Sequence, residues 1–185
     1  MDERGRFFYI IGASGVGKDT LIDFARERIA GDRPVVFCHR YITRPAEQGG
    51  EDFIHLDEAE FENRRRLGLF ALDWKSHGYC YGVGIEIHQW LARGLGVVLN
   101  GSRGYLPQAA SRYPELCPIL ITVAPGTLAE RLRRRGRETE AEIEERLRRA
   151  RALEEVSHPR LITIDNSSTV EAAGGRLVEV LCRGC

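Results

Sequence analysis

A loop able to hold a polyphosphate lies near the start of the chain. Gly12-Ala13-Ser14-Gly15-Val16-Gly17-Lys18 has the Gly-x-x-x-x-Gly-Lys spacing of a Walker A loop. Glycines let successive backbone N–H groups turn inward around an anion, and a helix that follows aims its positive N-terminal end at the same charge. Lys18 adds a mobile ammonium for the β- and γ-phosphates of a nucleotide such as ATP. Such loops usually end in Lys-Ser or Lys-Thr, whose hydroxyl binds Mg²⁺. Here Asp19 stands in that place and Thr20 comes next. Two roles are open to Asp19. It can hold Mg²⁺ as a hard oxygen ligand, with Thr20 beside it, or it can complement the helix N-terminus.

The loop needs a strand before it and a helix after it. Phe7-Phe8-Tyr9-Ile10-Ile11 is a short apolar run, and Leu21, Ile22, Ala25 and Ile29 follow the loop at helical spacing. Further apolar runs occur at Pro34–Cys38, Val97–Leu99, Pro118–Val123 and Leu161–Ile164. Continuous apolar runs bounded by Gly, Pro and Asp predict strands covered on both faces, as in a parallel sheet with helices between. Asp57-x-x-Glu60, Thr127-x-x-Glu130, Thr139-x-x-Glu142 and Ser168-x-x-Glu171 predict helix starts of the capping-box kind. Two stretches interrupt the alternation. One runs from about His39 to Gly84. The other is Arg-rich: Arg131-Leu132-Arg133-Arg134-Arg135-Gly136-Arg137, then Arg146, Arg148, Arg149 and Arg151. In a kinase core these are the places of an acceptor-binding insert (about 39–84) and a lid (about 131–150).

The bulk numbers narrow the classes. A chain of 185 residues predicts one domain. Basic and acidic residues balance at 27 each, so bulk charge gives no argument for nucleic acid or a membrane surface. Acids interleave with the arginines, and no stacking aromatics accompany them, which argues against RNA binding. No apolar run reaches transmembrane length, and the polar N-terminus does not read as a signal peptide, so the expected location is the cytoplasm. Five scattered cysteines argue against a disulfide framework. Cys182-Arg183-Gly184-Cys185 has Cys-x-x-Cys spacing without a second pair to complete a zinc site.

Over Phe7 to about Val180 the chain resembles the guanylate kinase branch of the P-loop kinases. The matching pieces are the loop itself, Tyr41-Ile42-Thr43-Arg44-Pro45, Asp73-Trp74 with Gly78-Tyr79-Cys80-Tyr81-Gly82, Arg131-Leu132 with Arg135-Gly136, Arg146-Leu147, and Asp165-Asn166. Within that branch, Gly17-Lys18-Asp19-Thr20, His39–Arg44, Tyr81–Glu86 and Asn100-Gly101-Ser102-Arg103 are similar to kinases that act on a sugar bisphosphate. The resemblance implies a P-loop kinase fold using ATP and Mg²⁺. It implies transfer to ribose 1,5-bisphosphate, giving 5-phosphoribosyl 1-diphosphate in phosphonate breakdown. A GMP kinase is the alternative, and a non-catalytic binding module is a third reading. The intact Gly17-Lys18 loop argues against the third.

The same resemblance distributes the roles. Lys18, Arg135 and Arg146 become the catalytic cations, with Arg131, Arg137 and Arg149 as further lid candidates. Asn166 falls on the adenine side. Arg40, Arg44, Asp73, Tyr81, Asn100, Ser102 and Arg103 fall on the acceptor side, Arg44 at the position that holds a monophosphate. A planar guanidinium suits bidentate phosphate binding. A phosphate acceptor is already ionised at neutral pH, so the site needs clamping cations and no proton-abstracting base. Several positions depart from guanylate kinases. The loop after Arg44 is short and lacks a second arginine. Asn100 and Ser102 replace two acids, and Phe53 replaces a tyrosine. Asp73 keeps the acid that usually grips guanine. Neutral hydrogen-bonding groups at Asn100 and Ser102 repel a second phosphate less than carboxylates would.

Overall fold

A computed structural model of the chain describes residues 5–29, 31, 33–45, 52–136, 139–152 and 156–183. The order is β1 (Phe7–Ile11), α1 (Lys18–Arg28), β2 (Val35–Phe37), β3 (Arg40–Ile42), β4 (Phe53–His55), α2 (Glu58–Arg66), β5 (Phe70–Ser76) and β6 (Tyr79–Gly84). Then come α3 (Glu86–Ala92), β7 (Gly96–Asn100), a 3₁₀ turn (Arg103–Tyr105), α4 (Leu106–Arg112), β8 (Cys117–Thr122), α5 (Pro125–Arg135), α6 (Glu140–Ala152), β9 (Ile162–Asp165) and α7 (Val170–Arg183). A five-stranded sheet has the order β2-β7-β1-β8-β9, and a four-stranded sheet has the order β4-β3-β6-β5. This is the α/β architecture expected from the apolar runs. β1 is buried along its whole length, with Tyr9, Ile10 and Ile11 fully enclosed. Burial of each such large side chain favours folding by roughly 1.5–3 kcal/mol.

The chain divides into two compact units, Met1–Tyr9 with Gly31–Leu116, and Ile10–Ala30 with Cys117–Cys185. In the first, β2 runs parallel to β7 with Val36 opposite Val97. The four-stranded sheet also lies in this unit: β3 pairs parallel with β4, and β6 pairs antiparallel with both β3 and β5. Among the described residues, the 39–84 stretch is a sheet with one helix, α2. Its small core joins Leu56, Phe61 and Phe70, with Tyr41 and Cys80 packed against them. The β5–β6 hairpin turns through His77 and Gly78, both at positive φ. In the second unit, β8 runs parallel to β9 with Ile121 opposite Ile164, and α1 packs on α7.

Helix starts differ in part from the capping signals. Asp57 caps α2, accepting from the Glu60 N–H at 2.7 Å. Thr139 and Glu142 form a reciprocal box at α6, each side chain accepting from the other's backbone N–H at 3.3 and 2.8 Å. Thr127 does not start a helix; α5 begins at Pro125, whose fixed φ suits the first helical position, and Thr127 lies inside it. At α7 the cap is Thr169, not Ser168: Thr169 Oγ1 accepts from the Ala172 N–H at 3.2 Å. Cys38, Cys80 and Cys182 carry free thiols, while Cys117 is disulfide-bonded. Among the described residues, no helix is long and apolar enough to cross a membrane.

Candidate active site: a phosphate loop and an arginine-bearing sheet

The phosphate loop lies in the second unit and follows β1 directly. Gly17 caps α1 at φ 91°, a left-handed conformation that costs a glycine little. A Cβ there would meet Asn166 Nδ2 at 2.6 Å. No side chain caps the first turn of the 11-residue α1. Lys18 Nζ donates to the carbonyls of Gly12 and Ala13 at 3.0 and 3.3 Å, so its ammonium lies folded against the loop. Ser14 and Thr20 are exposed, Val16 is buried, and Ala13 and Asp19 are half-buried. Asp19 sits in the first turn of α1. A cationic loop before a helix N-terminus without a side-chain cap fits a polyphosphate.

Two residues hold the loop from behind. Asn166 follows β9 directly, is 2% exposed, and donates from Nδ2 to the Val16 carbonyl at 2.8 Å. Arg131 in α5 donates to the carbonyls of Val16 at 3.4 Å and Asn166 at 2.8 Å. The resemblance counts Arg131 among the lid candidates, and in the structure its guanidinium makes this contact behind the loop. Oδ1 of Asn166 is buried without a hydrogen-bond partner among the described residues. Arg133 is a bidentate partner of Glu140 at 2.8 and 2.9 Å, and Arg148 pairs with Glu145. Arg135 ends α5, and Arg146 and Arg149 lie in α6. The side chains of all three, and Arg137 altogether, lie outside the described residues.

The acceptor-side candidates lie in the first unit. Arg40 opens β3, and its guanidinium stands 5.3 Å from the ring centre of Tyr81 on β6. Tyr81 is 7% exposed and stacks on Trp74 at 5.4 Å with 5° between the rings. Trp74 also stacks on Tyr105 at 5.4 Å. Tyr81 therefore offers a ring face to Arg40. Arg44 lies over Phe53 at 4.8 Å. Guanidinium–aromatic stacking of this kind is worth about 0.5–1 kcal/mol where exposed and more when desolvated. Thr43 ties this strand end to β6, its Oγ1 accepting from the Cys80 N–H at 2.9 Å and its own N–H donating to the Cys80 carbonyl at 3.1 Å. Asp73 is half-buried on β5, opposite Gly82.

Asn100 ends β7, and Ser102 and Arg103 follow in the turn to α4. Tyr9 fixes that turn. Its hydroxyl donates to the Ser102 carbonyl and accepts from the Ser102 N–H, both at 3.1 Å. Gly101 is required here, since a Cβ would meet the Tyr9 ring at 2.4 Å. Burial drives the Tyr9 phenol well above its usual pKa, so it stays a neutral donor and acceptor. Burial also lowers the pKa of Arg103, which remains a cation at neutral pH. Sequence reasoning passed over Tyr9 and Tyr105, and their apolar surroundings explain why: only the tertiary pairing shows that an aromatic residue orders a turn.

No family model matches the chain. Curated relatives do. The chain is 56% identical over 179 residues to a ribose 1,5-bisphosphate phosphokinase PhnN from Thiobacillus denitrificans, covering 96% of this chain and 93% of that protein. It is 52% identical to the protein of the same name from Desulfomicrobium baculatum, covering 95% and 94%. The Psychromonas ingrahamii protein of that name is 49% identical, covering 96% and 90%. Among solved structures, a guanylate kinase from Anaplasma phagocytophilum aligns with TM-score 0.70 at 19% identity, covering 98% of this chain and 86% of that one, which shows the shared fold. With identities this high over nearly the whole length, the chain belongs to the ribose 1,5-bisphosphate phosphokinase family of kinases with a guanylate-kinase-like fold.

Proposed function

We propose that the protein transfers the γ-phosphoryl group of ATP to the 1-phosphate of ribose 1,5-bisphosphate. An oxygen of that phosphate attacks the γ-phosphorus, the bond from the γ-phosphorus to the β,γ-bridging oxygen breaks, and ADP leaves as 5-phosphoribosyl 1-diphosphate forms. The observation that carries this reading is the likeness, over 95% or more of the chain, to relatives named for that activity. The local chemistry agrees. Arg40 and Arg44 sit over ring faces of one small sheet, and Arg103 sits in a pinned turn. Neutral Asn100 and Ser102 accompany them where guanylate kinases carry acids. The bond-making step needs charge stabilisation and alignment, with no base.

On the donor side, Gly12–Thr20 cradle the phosphates and Lys18 swings from the loop carbonyls onto them. Asn166 Oδ1, a buried acceptor without a partner among the described residues, is a group to which an adenine amino group can donate. Among the described residues no three His, Cys, Asp or Glu cluster to hold a metal. A Mg²⁺ ion carried on ATP phosphates needs only one or two protein oxygens, for which Asp19 and Thr20 are our candidates. That ion would neutralise charge developing on the phosphates. Arg135 and Arg146 are the proposed closing cations. We treat the whole chain as one kinase domain, with the 39–84 sheet as its acceptor insert and 131–150 as its lid, acting in the cytoplasm on small molecules in phosphonate breakdown.

The test is an acceptor panel with ATP and Mg²⁺: ribose 1,5-bisphosphate, GMP, AMP and ribose 5-phosphate. The expected result is a kcat/KM for ribose 1,5-bisphosphate far above the rest. A ratio favouring GMP would assign the acceptor to Asp73 and a guanine base, and overturn the proposal.

A further inference from the structure

Two observations in the first unit converge on one short turn. Ser102 is held by its backbone: Tyr9 bridges both its N–H and its carbonyl, and that carbonyl also accepts from the Tyr105 N–H at 3.1 Å. Three residues on, Tyr105 is held by its ring, stacked on Trp74 with 25° between planes. Arg103 lies between the two anchors. The other face of the ladder continues from Trp74 to Tyr81 and ends under the guanidinium of Arg40. A single row of rings, Tyr105–Trp74–Tyr81, thus has an arginine at one end and the arginine-bearing turn at the other. Tyr9, fully buried, also feels the charge of Arg40.

We propose that Tyr9 and the Tyr105–Trp74–Tyr81 stack are positioning residues that set the placement of Arg103 relative to Arg40, and so govern capture of the phosphorylated acceptor. Tyr9, Trp74 and Tyr105 need not touch the acceptor. Tyr9 acts through the Ser102 backbone, and Trp74 acts through its two stacked neighbours. A flexible arginine wastes binding energy in becoming ordered, whereas one on a braced turn meets its phosphate already placed. Geometry set to within a fraction of an ångström is what phosphate clamping requires, and rings packed on both faces supply it. This inference rests on the reading that Arg103 contacts the acceptor.

The experiment is a double-mutant cycle on the full chain with Tyr9→Phe and Arg103→Ala. Phe keeps the ring that packs against Gly101 and removes only the hydroxyl that bridges Ser102. Tyr9→Phe is expected to raise KM for ribose 1,5-bisphosphate about tenfold, the scale of one lost buried hydrogen bond, with KM for ATP unchanged. Arg103→Ala is expected to raise it further, and adding Tyr9→Phe to that variant should change nothing more. Should Tyr9→Phe fail to fold by circular dichroism, Tyr105→Leu takes its place in the same cycle. An Arg103→Ala variant with normal kinetics would overturn the acceptor role of Arg103 and this inference together. If Arg103→Ala is impaired, the positioning role alone is overturned by a Tyr9→Phe variant with normal acceptor KM. Independent effects in the double variant, or an equal rise in KM for ATP, would overturn it likewise.

Discussion

Gly17→Ala would test how the phosphate loop is built. Two costs add. The residue caps α1 at φ 91°, and a side chain in a left-handed conformation costs roughly 1–2 kcal/mol. The new methyl would also lie 2.6 Å from Asn166 Nδ2. That amide cannot swing aside cheaply, because Asn166 is 2% exposed and its Nδ2 donates to the Val16 carbonyl at 2.8 Å. Displacing it breaks a buried hydrogen bond and leaves its partners unsatisfied, at about 1–3 kcal/mol. The sum is roughly 2–5 kcal/mol, which for a domain of this size lowers Tm by about 4–20 °C. Gly136→Ala is the internal control. Gly136 also has positive φ, 65°, but a Cβ there meets nothing within 4 Å. It should lose only the conformational part, about 2–8 °C. The assay is thermal unfolding followed by circular dichroism, with ATP titrated into each variant. Equal losses for the two would refute the claim that Asn166 closes the space behind the loop.

Lys18→Ala should fold and melt normally while turnover falls by about two orders of magnitude or more, since a donor to the transferring phosphate is lost; near-normal turnover would show the loop to be idle. Asp19→Ala separates its two open roles: a raised Mg²⁺ requirement in steady-state assays marks a metal ligand, whereas a stability loss of roughly 0.3–1 kcal/mol at unchanged Mg²⁺ dependence marks a helix-end charge. Arg135→Ala and Arg146→Ala should lower kcat much more than ATP affinity measured by calorimetry, because a closing arginine acts in the transition state; equal losses would make them ground-state contacts. Burial raises the Cys38 thiol to about 12, so the folded state keeps it protonated. Its contribution to stability is complete below the ordinary thiol range near 8.5 and declines as pH rises towards 12. At pH 8, a disulfide reagent should label Cys80 and Cys182 well before Cys38, and rapid labelling of Cys38 would contradict its burial.

What the sequence made legible follows from the range over which each signal acts. The Gly-Lys loop, the apolar runs of β1, β7 and β8, and the Asp57 and Thr139 caps are local patterns, and each appears within a residue or two of its expected place. The 39–84 stretch showed only as an interruption, because β3 and β4 are three-residue strands with little burial and take their register from neighbouring strands. Thr127 misled because Pro125 is the stronger start signal three residues after the strand. The Tyr9–Ser102, Trp74–Tyr105, Arg131–Val16 and Asn166–Val16 contacts join residues 31 to 150 apart in sequence, so no window along the chain could show them. Tyr9 read as one more apolar residue in a core strand, and Arg131 as one more cation in a basic run.

The arginines parked on aromatic faces have a thermodynamic consequence. Arg40 on Tyr81 and Arg44 on Phe53 are ordered by flat neighbours as the chain folds. An arginine side chain carries about 2 kcal/mol of rotamer entropy, and much of that is already lost on folding in these two. Acceptor capture by these two arginines, as proposed, would then require little further ordering, and its temperature dependence should be dominated by the enthalpy of charge-assisted hydrogen bonds. Lysine, which matches the charge but not the plane, would have to be ordered anew at each binding event. Under that proposal, the ring under each guanidinium would move an ordering cost from every catalytic cycle to a single folding event.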